Sequence, residues 1–157
     1  MLTEHEYVVF LVGKDGDFDQ IVASAVKRAK RIYRDDNSAL TLCMPYPTEA
    51  LNLNMQSYRA YYDEINVYNP DEKIYPKAAH QSRNRNMVDR SDLVVFYVEH
   101  EYGGTWQTMK YAVNQKKKII NLLRNRFDVF YFLIKKELLS AASDSEEFCV
   151  IYVKTST

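Results

Sequence analysis

Residues Gln81–Leu122 read QSRNRNMVDRSD, LVVFYV, EHEYGGTWQTMKYAVNQ and KKKIINL in succession. In physical terms this is a polar helix, a buried strand, a glycine turn, an amphipathic helix and a second buried strand. The run Leu93–Val98 is apolar without alternation, which suits a strand covered on both faces. The step from that strand through Gly103, Gly104 and Thr105 into a helix leaves backbone N–H groups free at a helix N-terminus. An anion is favoured there. The stretch thus speaks to ligand class more than to reaction.

Upstream, Tyr7–Val12 (YVVFLV) reads as a central parallel strand, followed by the turn Gly13–Asp19 and a helix to about Arg34. Phe18, Val22, Ala25, Ala29 and Ile32 recur at three- to four-residue spacing and define one buried face. Asp17 is placed to cap this helix, and its basic end (Lys27, Arg28, Lys30, Arg31, Arg34) complements the macrodipole. Those five cations read as a solvated face rather than a nucleic-acid patch, because no aromatic interleaving or second basic stripe accompanies them. Ala39–Met44 is the next strand, stopped by Pro45-Tyr46-Pro47. Thr48–Tyr62 is weakly helical, Glu64–Tyr68 is a short strand, Asn69-Pro70-Asp71 turns, and Lys73–Lys77 runs extended. This middle region is where a loop over a ligand site is expected.

Downstream, the segment from Phe127 to Leu138 fits a helix or, nearly as well, a strand. Phe148–Val153 (FCVIYV) reads as a last strand, at a sheet edge. Strands and helices alternating at this spacing predict an α/β fold with a mostly parallel sheet of about five strands and helices on both faces. Residues 1–157 are read as one domain, the size expected of a single core.

Apolar residues make up 46% and charged residues 27%, ordinary for a globular chain, and Lys+Arg and Asp+Glu balance at 21 each. No global field favours nucleic acid or a membrane surface. The first residues lack a basic leader and no apolar run reaches spanning length, which predicts a cytoplasmic protein without a membrane partner. Cys43 and Cys149 lie far apart in apolar runs and read as buried free thiols.

The chain has four glycines, all in two turns: Gly13 and Gly16 after the first strand, Gly103 and Gly104 after the strand ending at Val98. In a doubly wound sheet both turns lie on the rim of C-terminal strand ends where ligands bind. Neither is a dinucleotide fingerprint or a P-loop, and glycine at such a turn also serves as steric relief. Arg83, Asn84 and Arg85 offer forked donors suited to phosphate, while Arg85 and Asp89 at i,i+4 can equally pair on a helix surface. His5, His80 and His100 are isolated, and the Asp15-Asp17-Asp19 run lacks the Gly and the bidentate Glu of a calcium loop, so no metal site is expected. Glu99, His100 and Glu101, just past a strand end, read either as acid–base groups or as an ordinary polar loop.

The segments FLVGKDGDFD at Phe10–Asp19, MPYP at Met44–Pro47, SRNRNMVDRSDLVVFYV from Ser82 to Val98, and YGGT at Tyr102–Thr105 together resemble the YpsA-type branch of the SLOG superfamily, relatives of the LOG phosphoribohydrolases and DprA. The resemblance covers about residues 7–122, leaving 123–157 as a C-terminal extension. It implies a Rossmann-like fold and a site for a nucleotide or nucleotide-derived ligand. By the same resemblance, Gly13, Gly16 and Asp19 belong to the first turn, Arg83, Asn84 and Asp89 to an R-N-x-x-x-[VI]-D segment, and Gly103, Gly104 and Thr105 to the second turn. The turns would hold phosphate, Arg83 and Asn84 would add charge and direction, and Asp19 would meet a sugar hydroxyl. No further cofactor is implied.

Two departures matter. Relatives of the LOG type carry an acid on the helix after the second turn, whereas here Trp106, Gln107, Thr108 and Met109 follow Thr105. This favours a sensor or carrier over the alternative, an enzyme cleaving an N-glycosidic bond with Asp19 or Glu99 as the catalytic group. Relatives also begin with a further strand, so an uncovered sheet edge and a homo-oligomer are expected. A third reading is a protein-interaction module with a vestigial site. Nucleic acid is not an expected partner, given zero net charge.

Overall fold

The structure is a computed structural model and describes residues 7–14, 16–32, 36–68, 75–122 and, for the backbone, 151–156. The chain order is β1 (Tyr7–Val12), α1 (Asp17–Ile32), β2 (Ser38–Met44), α2 (Glu49–Leu53), α3 (Met55–Tyr61), β3 (Glu64–Val67), α4 (Pro76–Asp89), β4 (Leu93–Phe96), α5 (Gly103–Asn114), β5 (Lys118–Asn121) and β6 (Ile151–Ser156). It is an α/β arrangement of mostly parallel strands. β3, β2 and β1 form one parallel group and β4 and β5 another, and β6 lies between β1 and β4, antiparallel to both. The first five strands therefore all point one way, and their C-terminal ends share one rim.

Alternating side chains divide the core into two layers. Val8, Phe10 and Val12 of β1, with Leu40 and Val95, pack against Phe18, Val22, Ala25, Val26 and Ala29 of α1. Leu11, Cys43, Val94 and Phe96 point the other way, onto Met87 and Val88 of α4 and Ala112 of α5. Leu42, Met44 and Leu51 make a smaller cluster to which Met55, Tyr58 and Tyr62 are added. The burial of β2 is complete, all seven residues being buried. At that density a Phe10→Ala or Phe96→Ala change removes contacts that no neighbour can replace.

Several expectations are corrected. The last strand is not at an edge: β6 is an interior strand, because its register pairs Leu11 with Tyr152 on one side and Val95 with Ile151 on the other. Among the described residues the edge strands are β3 and β5. The weak helix Thr48–Tyr62 is two helices, broken at Asn54, whose side-chain Nδ2 and backbone N–H both donate to the Ala50 carbonyl. Asparagine competes in this way with helix propagation. Pro76 and Lys77 are not extended; they open α4, with Pro76 in the first turn where its missing N–H costs nothing. Asp17 is the first residue of α1 rather than its cap, and Ile32 in the last turn is exposed. The strand read as Leu93–Val98 ends at Phe96, and Tyr97–Tyr102 is loop. The readings for Asn69–Ile74, Phe127–Leu138, Phe148–Val150 and Cys149 lie outside the described residues.

Lys30 also departs from the solvated face to which it was assigned. It is buried, and its Nζ donates to the Ser38 carbonyl at 3.0 Å and to Asp63 Oδ2 at 2.7 Å, joining α1 to the start of β2 and β3. Burial alone would raise the Asp63 carboxyl, but hydrogen bonds from Lys30 and the Leu40 N–H, with the charges of Lys30 and Lys27, hold it below its ordinary value of 3.8. A depressed carboxylate stabilises the fold at pH above its unfolded value, and that contribution is lost as pH falls through the folded value. Acid titration followed by circular dichroism should therefore show stability falling below about pH 4 more steeply in the wild type than in Asp63→Asn.

Candidate functional site

The rim separates the expected site residues into two groups. The first is a buried cluster at the end of β1. Asp19, from the first turn of α1, accepts a hydrogen bond from the Gly13 N–H at 3.2 Å. Arg83, from the middle of α4, donates through Nη1 to the Cys43 carbonyl at 3.2 Å. A Cβ built on Gly13 would sit 2.6 Å from Arg83 Nη1 and 2.6 Å from Asp19 Oδ2. An acid from one helical layer and a base from the other thus converge over the strand end, with only a glycine thin enough to pass between them. Asp19 and Arg83 are 2% and 3% exposed, so both lie beneath the surface that a ligand would touch.

Both are engaged within the protein. The Gly13 N–H is already engaged by a carboxylate, and a phosphate brought to the same amide would meet the charge of Asp19. The first turn is a clasp between layers. Cys43, beside it, is buried; desolvation pushes its thiol up to about 11, against the smaller opposing pull of the Tyr68 hydroxyl and of Arg83 and Arg90. Such a thiol is inert rather than nucleophilic.

The second group forms an open cleft of about 260 Å³ between α4 and α5, lined among others by Lys77, Asn84, Arg85, Gly103, Gly104 and Thr108. Gly103 opens α5 with φ of 84°, a backbone conformation that side chains other than glycine's resist. Tyr102, the residue before it, makes no side-chain cap to α5. Nothing lies within 4 Å of a Cβ placed on Gly104, so the main chain there is open to close approach. Asn84 Nδ2 donates to Thr108 Oγ1 at 3.3 Å, and Thr108 Oγ1 donates to the Gly104 carbonyl at 2.9 Å. That relay fixes the cleft floor. Among the described residues no aspartate or glutamate lines the cleft, and Lys77 and Arg85 give it positive charge next to the positive end of a helix.

The remaining candidates belong to neither group. Asp89 is exposed at the far end of α4 and accepts from the Tyr111 hydroxyl at 2.9 and 3.1 Å. That bond raises the Tyr111 phenol, an effect opposed by Arg85, whose guanidinium carbon lies 5.5 Å from the ring centroid. Asp89 is thus a link between α4 and α5. Gly16 and Thr105 line neither the buried cluster nor the cleft. Glu99 is exposed in the loop after β4, where His100 and Tyr102 stack at 5.2 Å. Sequence reasoning passed over Lys77, Gln107 and Thr108; the i,i+4 spacing of Gly104 and Thr108 was the available signal. No family model, curated protein or solved structure matches the chain. Among the described residues, no helix is long and apolar enough to cross a membrane.

Proposed function

We propose that the chain binds a nucleotide or nucleotide-derived metabolite at the strand-end rim, with the phosphate in the cleft between α4 and α5, and that its fold is Rossmann-like, of the SLOG kind. The observation that carries this reading is the lining of the cleft. A helix N-terminus at Gly103-Gly104 without a side-chain cap shares the cleft with Lys77 and Arg85, and no carboxylate is among the described lining residues. Backbone N–H donors and a forked guanidinium are the groups that recognise phosphate. Among the described residues the same lining lacks an acid able to protonate a departing base or attack an anomeric carbon, which favours a sensor or carrier over a glycosidic-bond enzyme. A second copy of the chain would pair at β3 or β5, the edge strands.

A thermal-shift panel of nucleoside mono-, di- and triphosphates, NAD, ADP-ribose and cyclic nucleotides tests it. A ligand at about 100 times its Kd stabilises the fold by about 2.7 kcal/mol, raising Tm by roughly 5–10 °C. Arg85→Ala, an exposed position, should leave the unliganded Tm within a degree or two and remove most of that rise. A panel in which no compound raises Tm contradicts the proposal.

A further inference from the structure

A second recess, of about 650 Å³, lies on the opposite face of the sheet, between the first turns of α1 and the length of α3. One wall is aromatic. The Tyr58 and Tyr62 rings stack at 6.3 Å with 17° between their planes, and Tyr61 meets Tyr62 edge-on at 4.9 Å. α3 has no fully buried residue; Tyr58 and Tyr62 are half-buried against the Leu42, Met44 and Leu51 cluster and also line the groove. Lys14, from the first glycine turn, stands with Nζ 4.8 Å from the centroid of Tyr58. Lys27 holds its Nζ 5.2 Å from the centroid of Tyr61 while donating to the Tyr61 carbonyl at 2.9 Å. Asn54, Ser57, Gln20 and Ser24 supply amides and hydroxyls, and among the described residues no aspartate or glutamate lines the groove. Burial, reinforced by Tyr61, Asp19 and Tyr58, pushes the Tyr62 phenol up to about 12.

We infer that this groove is a second ligand site, which takes a planar aromatic ring carrying a negative charge. The ring lies on Tyr58 and Tyr61, and the acidic group lies on Lys14. The volume is within the range of small-molecule pockets, about 300–1,000 Å³. Ring stacking on tyrosine is favourable whatever the ring's identity, and the cation Lys14 among the lining residues favours a ring that carries negative charge over a neutral or cationic one. A nucleoside monophosphate and an aromatic carboxylic acid share this chemistry. The site does not depend on the cleft between α4 and α5.

Ring proton–carbon NMR of the tyrosines in the full chain, titrated separately with AMP and with indole-3-acetate, tests the inference. The Tyr58 and Tyr61 signals are expected to move and saturate with at least one compound. Affinity for that compound should fall about tenfold or more in both Tyr58→Leu and Lys14→Gln, and Arg85→Ala should leave it unchanged. Movement with AMP alone makes the ligand a nucleotide, and movement with indole-3-acetate alone makes it another aromatic acid. Adenosine, which lacks the charge, should bind more weakly than AMP. Tyrosine rings that stay still at millimolar concentrations of both compounds overturn the inference. So does an affinity that Lys14→Gln leaves intact and Arg85→Ala abolishes. Lys14 is on the surface of a turn, so the test holds even where Tyr58→Leu perturbs folding.

Discussion

Arg83→Met is expected to destabilise the fold by about 3–5 kcal/mol, the usual cost of removing one partner from a buried, oppositely charged pair. Three losses combine. The Asp19 carboxylate, 2% exposed, keeps its charge while its nearest buried cation disappears. The Cys43 carbonyl loses its guanidinium donor, and the two helical layers lose their link across the end of β1. Urea unfolding should show the midpoint falling with the m-value unchanged. Asp19→Asn in the Arg83→Met background should recover part of the loss, because a neutral amide no longer demands a counter-charge. A double variant as unstable as the sum of the two single variants would show that Asp19 and Arg83 act separately.

Gly13→Ala should be nearly as damaging, by about 3 kcal/mol or roughly 10 °C in Tm. The added methyl would lie 2.6 Å from both Arg83 Nη1 and Asp19 Oδ2. Ordinarily the tip of an arginine swings away at little cost. Here the tip is buried and held by the Cys43 carbonyl, and Asp19 is held by the Gly13 N–H, so relief breaks one of those bonds. Gly16→Ala is the control: nothing lies within 4 Å of its Cβ, and the cost should be about 1 kcal/mol or less. Differential scanning calorimetry of the two variants separates crowding from a general effect of substituting glycine.

Much of the architecture was readable because it follows from periodicity. The apolar runs at Tyr7–Val12 and Ala39–Met44 became strands, and the unalternating run read as Leu93–Val98 became the largely buried strand Leu93–Phe96. The three- to four-residue spacing from Phe18 to Ala29 became the inner face of α1. Sheet order was not readable. Phe148–Val153 has the composition of any apolar strand, and the insertion of β6 between β1 and β4 depends on pairing with two strands far away in the chain. Local chemistry decided the middle region: a side chain at Asn54 broke a helix, and a proline at Pro76 began one.

The site was half readable, for a related reason. Residue types announced that Arg83, Asp19 and the glycines mattered, but type says nothing of depth. An arginine at the surface of a cleft and one beneath a strand end read alike in sequence. Arg83 and Asn84 are adjacent, yet helical geometry turns the first into the core and leaves the second half-buried on the cleft floor. Arg85, read both as a forked donor for phosphate and as a surface partner of Asp89, is the guanidinium that lines the cleft.

The measurement that bears most directly on the proposed binding is amide chemical-shift mapping of the nitrogen-labelled chain, titrated with the nucleotide that gives the largest thermal shift. The Gly103 and Gly104 amides should move first and furthest, joined by Thr105 and the Asn84 and Arg85 side chains, while the Gly13 amide, bonded to Asp19, moves little. A titration in which Gly103 and Gly104 stay in place, or in which Gly13 and Gly16 carry the shift instead, would contradict phosphate binding at α5.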